Sequence, residues 1–470
     1  MNHRLAMLVE QTQGSGLRAR IVRGVGGTFA LRLVNAAIQF LTGLALARLL
    51  GKDGLGVYNF ALSWVMLLTV PAIFGMDRLL VRELVRYRQR EAWGHMRGAL
   101  RFANRTTLLT ALLLAAGIAL LGWVTYQTTG RPALLKAQQA GLARAALHAL
   151  WIAMILLPVW AVLLLQSSAM QGLRHVVVAQ IPEQVVGPAL FLLLIIASWL
   201  AGGLIDSPQG IVALELATTA IALMVSMTML RGLLPSRVGA ASPVFETRAW
   251  VLAAIPLAIG RGMITLNNQV DTLMLGAIAE VGAVGVFSVA LAGTQMITMI
   301  LLSVNTALAP NLAQLHAEGD RRRMQFVLTQ AALFMLLAAL PLTVFFVVWG
   351  KWFLALFGAE FKAGYAALVI VALGQHFSLA SGSVGLVLMM TGHERAAMWG
   401  PAAGVALHIA LNALLIPRWG IDGAAVGRAS GIVFANVALI WIVWRRLGVH
   451  STALGAIPHW IGVARRRASR

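Results

Sequence analysis

Long apolar segments dominate this sequence and restrict it to one class of fold. Hydrophobic residues make up 59% of the chain and charged residues only 11%, a composition outside the range of soluble domains. About 20 apolar residues suffice for a helix to cross a bilayer. We count twelve such segments, near 25–48, 56–76, 101–122, 145–166, 176–200, 209–231, 250–276, 283–309, 325–349, 366–390, 397–416 and 422–444. The sequence therefore predicts an all-α integral membrane protein, with a kink where prolines interrupt the fifth segment.

The distribution of lysine and arginine orients these helices. With a cytoplasmic N-terminus, 26 of the 37 basic residues fall in inner loops and termini, eight in outer loops and three within helices. Because inner loops of membrane proteins are enriched in lysine and arginine, this asymmetry predicts cytoplasmic N- and C-termini. It also accounts for the net charge of +21 without a nucleic acid partner. A cleaved signal peptide is disfavoured, since the first apolar run is too long and contains Arg32.

The seventh apolar segment, Trp250–Gly276, carries polar residues at bilayer depth. It contains Arg261, Asn268 and Asp271 within WVLAAIPLAIGRGMITLNNQVDTLMLG. An arginine at the centre of a bilayer costs about 2.5–3.5 kcal/mol on insertion scales. A helix that tolerates this cost usually faces a water-filled cavity or a partner.

The first segment repeats this pattern at an offset of 229 residues. That offset places GVYNFAL of the first half on GVFSVAL of the second, Arg32 on Arg261, and Gln39 on Asn268. We interpret the match as an internal duplication, although two apolar segments can also align by chance. Six helices per half make the repeat parallel. The predicted parts are a basic cytoplasmic N-terminus (1–23), two six-helix lobes (24–233 and 249–446), a cytoplasmic linker (234–248) and a basic cytoplasmic tail (447–470).

The two matched arginines are the main candidate binding residues. Facing each other, they would bind a phosphate or pyrophosphate, because a guanidinium offers a bidentate fork to such anions. Gln39 and Asn268 lie seven residues further on, close to two helical turns, and would act as neutral donors. In the alternative interpretation, each arginine pairs with a buried carboxylate or extends to the membrane surface.

Two membrane-embedded acids are candidates for ion coupling. Asp271 would bind a proton or Na⁺, or else anchor a neighbouring helix. Glu183 would take part in ion coupling or neutralise an arginine. Arg428, His408 and Asn412 fit structural roles better. We predict no metal centre and no organic cofactor, since the chain has no cysteine and no metal-ligand motif. No catalytic motif is present either, so a transporter is favoured over an enzyme.

Several stretches resemble the polysaccharide-transporter (O-antigen flippase) family of the multidrug/oligosaccharidyl-lipid/polysaccharide flippase superfamily. In chain order they are LARLLGKDGLGVYNFALSW, FGMDRLLVREL, NNQVDTLMLGAIAEVGAVGVFSVAL, LAPNLAQLHAEGDRRRM, LVLMMTGHERAA and LNALLIPRWGIDGAAVG. The resemblance spans roughly 24–446. It implies two six-helix lobes around a central cavity, arginines in that cavity, and a lipid-linked sugar as substrate.

These observations predict a flippase of the bacterial inner membrane. It would move a polyprenyl-pyrophosphate-linked oligosaccharide outward for surface polysaccharide or exopolysaccharide synthesis. Membrane lipids, a polysaccharide polymerase and glycosyltransferases are the expected partners. The alternatives are a cation-coupled drug antiporter of the same superfamily and a non-transporting scaffold for glycosyltransferases. A scaffold has no need of buried polar residues on matching helix faces.

Overall fold

The computed structural model describes residues 17–129, 140–202 and 205–453, and this part of the chain is helical throughout. Most of the predicted basic N-terminus and tail lies outside the described residues. Within them we number fourteen α-helices: α1 Leu17–Ile73, α2 Met76–Gln89, α3 Trp93–Thr129, α4 Ala140–Gly172, α5 Val176–Ile181, α6 Gly187–Leu200, α7 Pro208–Leu233, α8 Ser236–Ala240, α9 Thr247–Ile278, α10 Val281–Ala317, α11 Arg321–Phe357, α12 Tyr365–Ser381, α13 Val384–Met390 and α14 Glu394–Leu447.

Ten segments of the described chain are long and apolar enough to cross a membrane. Two of them, in α1 and α14, are long because each joins two of the predicted spans. Gly51 interrupts α1 with φ 63°, and Gly420 interrupts α14 with φ 52°. Only glycine adopts such left-handed angles without strain. The all-α membrane fold is therefore confirmed, and the two glycine turns reconcile ten long segments with twelve predicted spans.

The fifth predicted span bends where its prolines lie. Between α5 and α6 the chain forms a π-helical turn over Pro182–Val186. Proline lacks the N–H that an α-helix needs and clashes with the preceding turn, which explains the altered hydrogen bonding. The turn exposes a different set of side chains from those that a continuous helix would present, and Glu183 is among them.

The described residues pack as two compact units. The first comprises residues within 17–50, 61–129 and 140–265, and the second those within 51–60 and 266–453. These units differ from the predicted lobes because the first half of α9 packs in the first unit. There a Cβ on Gly75 would lie 2.5 Å from the carbonyl oxygen of Ala254. The lobe boundary at 234–248 stays a prediction.

Hydrogen bonds fasten the predicted linker to the first unit. Arg97 Nη1 donates to the carbonyl oxygen of Ala241 at 2.6 Å, and Val244 N donates to that of Gly94 at 3.0 Å. The hydroxyl of Tyr87 donates to Glu246 Oε2 at 3.1 Å. Burial raises the pKa of Tyr87, so this hydroxyl remains a donor at neutral pH. The linker is thus a packed segment rather than a free connection.

The segments matched at an offset of 229 cross each other inside the second unit. A Cβ on Gly56 would lie 2.0 Å from the carbonyl oxygen of Val281, and a Cβ on Gly285 would lie 2.0 Å from that of Lys52. The offset of 229 maps Gly56 onto Gly285 and Lys52 onto Val281, so each of these two contacts is the repeat-related copy of the other. Asn59 Nδ2 also donates to Ser288 Oγ, its matched residue, at 2.8 Å. Reciprocal contacts of this kind are what a local two-fold axis produces.

The glycine crossing gives the first testable prediction. Gly56→Ala should destabilise the protein by more than the roughly 1–3 kcal/mol typical of an overpacked core, because the new methyl group meets backbone rather than a movable side chain. Gly43→Ala is the control, since a Cβ on Gly43 meets nothing within 4 Å. Thermal unfolding in detergent measures both. Equal melting temperatures for the two variants would contradict the close crossing.

Candidate functional site

Helix α9 contributes to two separate polar clusters within the membrane-spanning region. The Arg261 cluster consists of Arg261, Asp77, Glu183 and Ser167, all in the first unit. The Asp271 cluster consists of Asp271, His408, Asn412 and Arg428, all in the second unit.

In the Arg261 cluster, Arg261 Nη1 donates to Asp77 Oδ2 in a short ion pair. Asp77 lies in the first turn of α2, two residues after Gly75. Gly75 packs closely against Ala254 on α9. Arg261 lies about two turns further along the same face of that helix, which brings it to Asp77. The side chain of Asp77 is 6% exposed and that of Arg261 is 28% exposed. Asp77 Oδ1 is buried and has no hydrogen-bond partner.

Glu183 adds a second carboxylate to the Arg261 cluster. It lies in the π-helical turn, close to Ser167 and near enough to Arg261 for the two side chains to interact electrostatically. Asn35 Nδ2 donates to the carbonyl oxygen of Gln184 at 2.7 Å and so fastens α1 to this turn. Single π-helical turns are frequent at functional sites. The guanidinium of Arg261 therefore pairs with Asp77 and lies within electrostatic range of Glu183.

The four predicted anion-binding residues are not bonded to one another. Arg32 is exposed on α1, and among the described residues it has no hydrogen-bond or ion-pair partner. Gln39 and Asn268 are also exposed. Arg261 instead has a buried acid as partner, which was the alternative that the sequence left open. Of the two predicted arginines, Arg32 is thus without a bonded partner among the described residues, whereas Arg261 is paired with Asp77.

The Asp271 cluster surrounds one carboxylate with three donors. Asp271 is fully buried, and its Oδ1 lies 2.5 Å from His408 Nε2 and 2.8 Å from Asn412 Nδ2. Arg428 Nη1 donates to Oδ2 at 2.6 Å. Asp271 therefore joins α9 to both segments of α14. Both carboxylate oxygens have partners, so an ion that binds Asp271 must first displace one of these donors.

Sequence reasoning missed the partners in both clusters. Asp77 was overlooked because it stands among the arginines of an apparent cytoplasmic loop. The available signal was the amphipathic pattern of α2, which buries Leu80 and Leu84. Arg428 and His408 were treated as separate packing residues. Nothing in the hydropathy pattern links them to Asp271, which lies 157 and 137 residues away along the chain.

Comparison with protein families identifies the group to which this sequence belongs. A family model described as "Polysaccharide biosynthesis protein" matches residues 21–316, more than half of the chain. The chain belongs to the polysaccharide biosynthesis protein family. A second model, MatE, matches residues 256–414 of this family member. None of the curated proteins compared with the chain matches it.

Solved structures of membrane transporters share the fold. An inward-facing multidrug resistance MATE family transporter of the MOP superfamily has a TM-score of 0.67 and 14% identity, covering 87% of this chain and 94% of its own. The lipid II flippase MurJ, in an inward closed conformation, has a TM-score of 0.64 and 12% identity, covering 87% of each chain. A MOP superfamily transporter from Pyrococcus furiosus has a TM-score of 0.55 and 13% identity, covering 93% and 97%. At these identities the similarity establishes the fold.

Proposed function

We propose that this protein is a flippase for a polyprenyl-pyrophosphate-linked oligosaccharide in the bacterial inner membrane. It would serve surface polysaccharide or exopolysaccharide synthesis by alternating access around a positively charged cavity. The observation that carries the proposal is Arg32, an exposed cation in an apolar helix long enough to span a membrane, which has no partner in the part of the chain that the structure describes; the chain is a polysaccharide biosynthesis family member. A cation at bilayer depth is costly, and an anionic headgroup would compensate for that cost.

The two arginines of the proposed site would act differently. Arg32 would replace water around the pyrophosphate from the start, with Gln39 as a neutral donor. Arg261, paired with Asp77 and within electrostatic range of Glu183, would move to the anion only if Asp77 released it. The membrane potential assists outward movement, since each negative charge gains about 2.3 kcal/mol per 100 mV. Coupling to H⁺ or Na⁺ through Glu183 or Asp271, and partnership with a polymerase or glycosyltransferases, stay predictions.

A drug antiporter is the second candidate. It is favoured by the match of the MatE model to residues 256–414 and by the fold shared with a multidrug transporter. The charges of the first unit argue for the flippase. A binding site for cationic drugs needs a carboxylate without a counter-ion, whereas Asp77 is paired with Arg261 and Arg32 has no bonded partner among the described residues.

Substitution of Arg32 tests the proposed function. Each charge-assisted contact is worth about 1.5–3 kcal/mol, so Arg32→Gln should lower export about ten- to a hundredfold. Arg32→Lys should restore it in part, because an ammonium lacks the bidentate fork. Membrane abundance should not change, since Arg32 has no bonded partner among the described residues. The measurement is surface polysaccharide per unit of membrane-inserted protein.

An exposed arginine elsewhere provides the control for this experiment. Arg322 is exposed at the start of α11, and Arg322→Gln removes the same charge from the protein. Its export should match that of the wild type. Normal export from abundant Arg32→Gln protein would end the proposal that Arg32 binds the headgroup. Saturable export of a cationic drug by the wild type, lost in Asp77→Asn, would favour the antiporter instead.

A further inference from the structure

We propose that the Asp271 cluster is a proton-binding site in which His408 and Arg428 alternate as the counter-cation of Asp271. The inference rests on the proposed function, because a pyrophosphate that reached Arg428 would draw it away from the carboxylate. Each headgroup bound at Arg428 would then place one proton on His408. The cluster would thereby couple proton uptake to substrate binding.

The charge of the cluster is balanced as it stands. It contains one carboxylate, one guanidinium and one imidazole, and Arg428 already supplies a cation that offsets the charge of Asp271. Asp271 is 0% exposed and the side chain of His408 is 1% exposed. An unbalanced charge in such an apolar setting is strongly disfavoured. The cluster therefore favours a single cation beside Asp271 at any time.

Arg428 is the cation that can leave. Its side chain is 13% exposed, whereas Asp271 is fully enclosed. Its Nε is buried without a partner, and its other contact, from Nη1 to the carbonyl oxygen of Asn267, is long at 3.5 Å. A single strong bond, to Asp271 Oδ2, thus holds the guanidinium. A pyrophosphate offers the same bidentate geometry with more negative charge.

His408 can take over without moving. In the tautomer protonated at Nε2, it already donates to Asp271 Oδ1. The Nδ1 atom has no hydrogen-bond partner in the part of the chain that the structure describes, so it is the atom that would accept the proton. Protonation would turn a neutral hydrogen bond into a charge-assisted one, which is roughly twice as strong.

The donor set disfavours Na⁺ at this position. Na⁺ requires several oxygen ligands, but the Nε2 and Nδ2 donors of His408 and Asn412 cover Oδ1, and a guanidinium covers Oδ2. Asn412 Oδ1 is the other buried oxygen, and it faces Gly427, where an added Cβ would lie 2.1 Å away. The cluster thus presents donors to its carboxylate and little space for a metal cation.

Other ionisable groups on the neighbouring helices do not share the proton. His408 lies on α14, which packs against α9, α10, α12 and α13. Among the described residues, Asp271 is the ionisable group bonded to it, and Arg428 bonds the other oxygen of that carboxylate. The described part of α13 has none, α10 has His316 in its last turn, and α12 has His376, whose Nδ1 lies 3.1 Å from Thr343 Oγ1. Arg261 on α9 is paired with Asp77.

The test measures proton uptake on binding of undecaprenyl pyrophosphate, a sugar-free probe, to the full chain in nanodiscs. Wild-type protein in weak buffer should take up about one more proton per bound probe than His408→Gln. The dissociation constant of the probe for the wild type should fall by up to tenfold for each pH unit of acidification, beyond any change in the variant. This follows because proton uptake and probe binding are thermodynamically linked. The titration of the probe itself is common to both proteins. Replacing choline chloride by sodium chloride should change neither quantity.

Two further measurements keep the outcome decisive. Nitrogen NMR of labelled histidine in the wild type should show His408 becoming doubly protonated when the probe binds, independently of how any variant folds. Arg428→Gln should weaken binding about tenfold and remove the extra proton. Identical pH profiles for wild type and His408→Gln, or Na⁺-dependent binding, would overturn the inference while leaving the flippase proposal intact. Absence of binding to the wild type would instead refute the proposed function.

Discussion

Arg261→Ala is expected to lower the amount of folded protein in the membrane and to abolish export. The substitution strands Asp77, whose side chain is 6% exposed and whose second oxygen already lacks a partner. Breaking a fully buried ion pair costs about 3–5 kcal/mol. Because Arg261 is 28% exposed, we expect about 2–3 kcal/mol, which is a large part of the stability of a marginally stable fold. Quantitative blotting and thermal unfolding measure this loss.

A double variant separates the structural role of Arg261 from its role in transport. Asp77→Asn with Arg261→Gln removes both charges at similar size, so neither group is left as an unpaired charge. Abundance should return close to the wild-type level, whereas export should remain at least tenfold lower because the second headgroup cation is missing. If export also returned, Arg261 would serve only to hold α9 against α2.

Asp271→Asn is expected to destabilise the second unit more than any single change in the first. The carboxylate accepts from three donors and is fully buried, so its loss leaves the guanidinium of Arg428 opposite a neutral amide. We expect a loss of about 3–5 kcal/mol. With Arg428 released in the variant, we expect probe binding to persist in the protein that remains folded.

The compensating change for this variant is Arg428→Gln. Asp271→Asn with Arg428→Gln should recover at least half of the lost stability, because no charge then remains unpaired. Ile264→Ala is the control on α9, since Ile264 is 63% exposed and surface changes usually stay within about 0.5 kcal/mol. A melting temperature for Asp271→Asn as high as that of Ile264→Ala would contradict the bonding described for this carboxylate.

Local sequence signals predicted the fold more completely than the site. Apolar runs located the spans, and Pro182 correctly indicated an irregular turn, because both depend on residues close together in the chain. Neutralising an arginine was one of the roles that the sequence offered for Glu183, and in the structure Glu183 lies within electrostatic range of Arg261. Asp77 and Arg428 show the limit of this approach. Their partners are 184 and 157 residues away, and only tertiary packing determines which of several acids each arginine meets.

The reciprocal glycine crossing has a consequence for the ancestry of the chain. A contact in which Gly56 meets Val281 while Gly285 meets Lys52 is isologous in the sense used for symmetric dimers. A half-length polypeptide carrying this glycine face could pair with a copy of itself through the same two crossings. The modern chain would then correspond to a homodimer whose two subunits became covalently joined. Its halves could diverge in sequence, but Gly56 and Gly285 would have to stay glycine, because the backbone of the other half occupies the space of a side chain there.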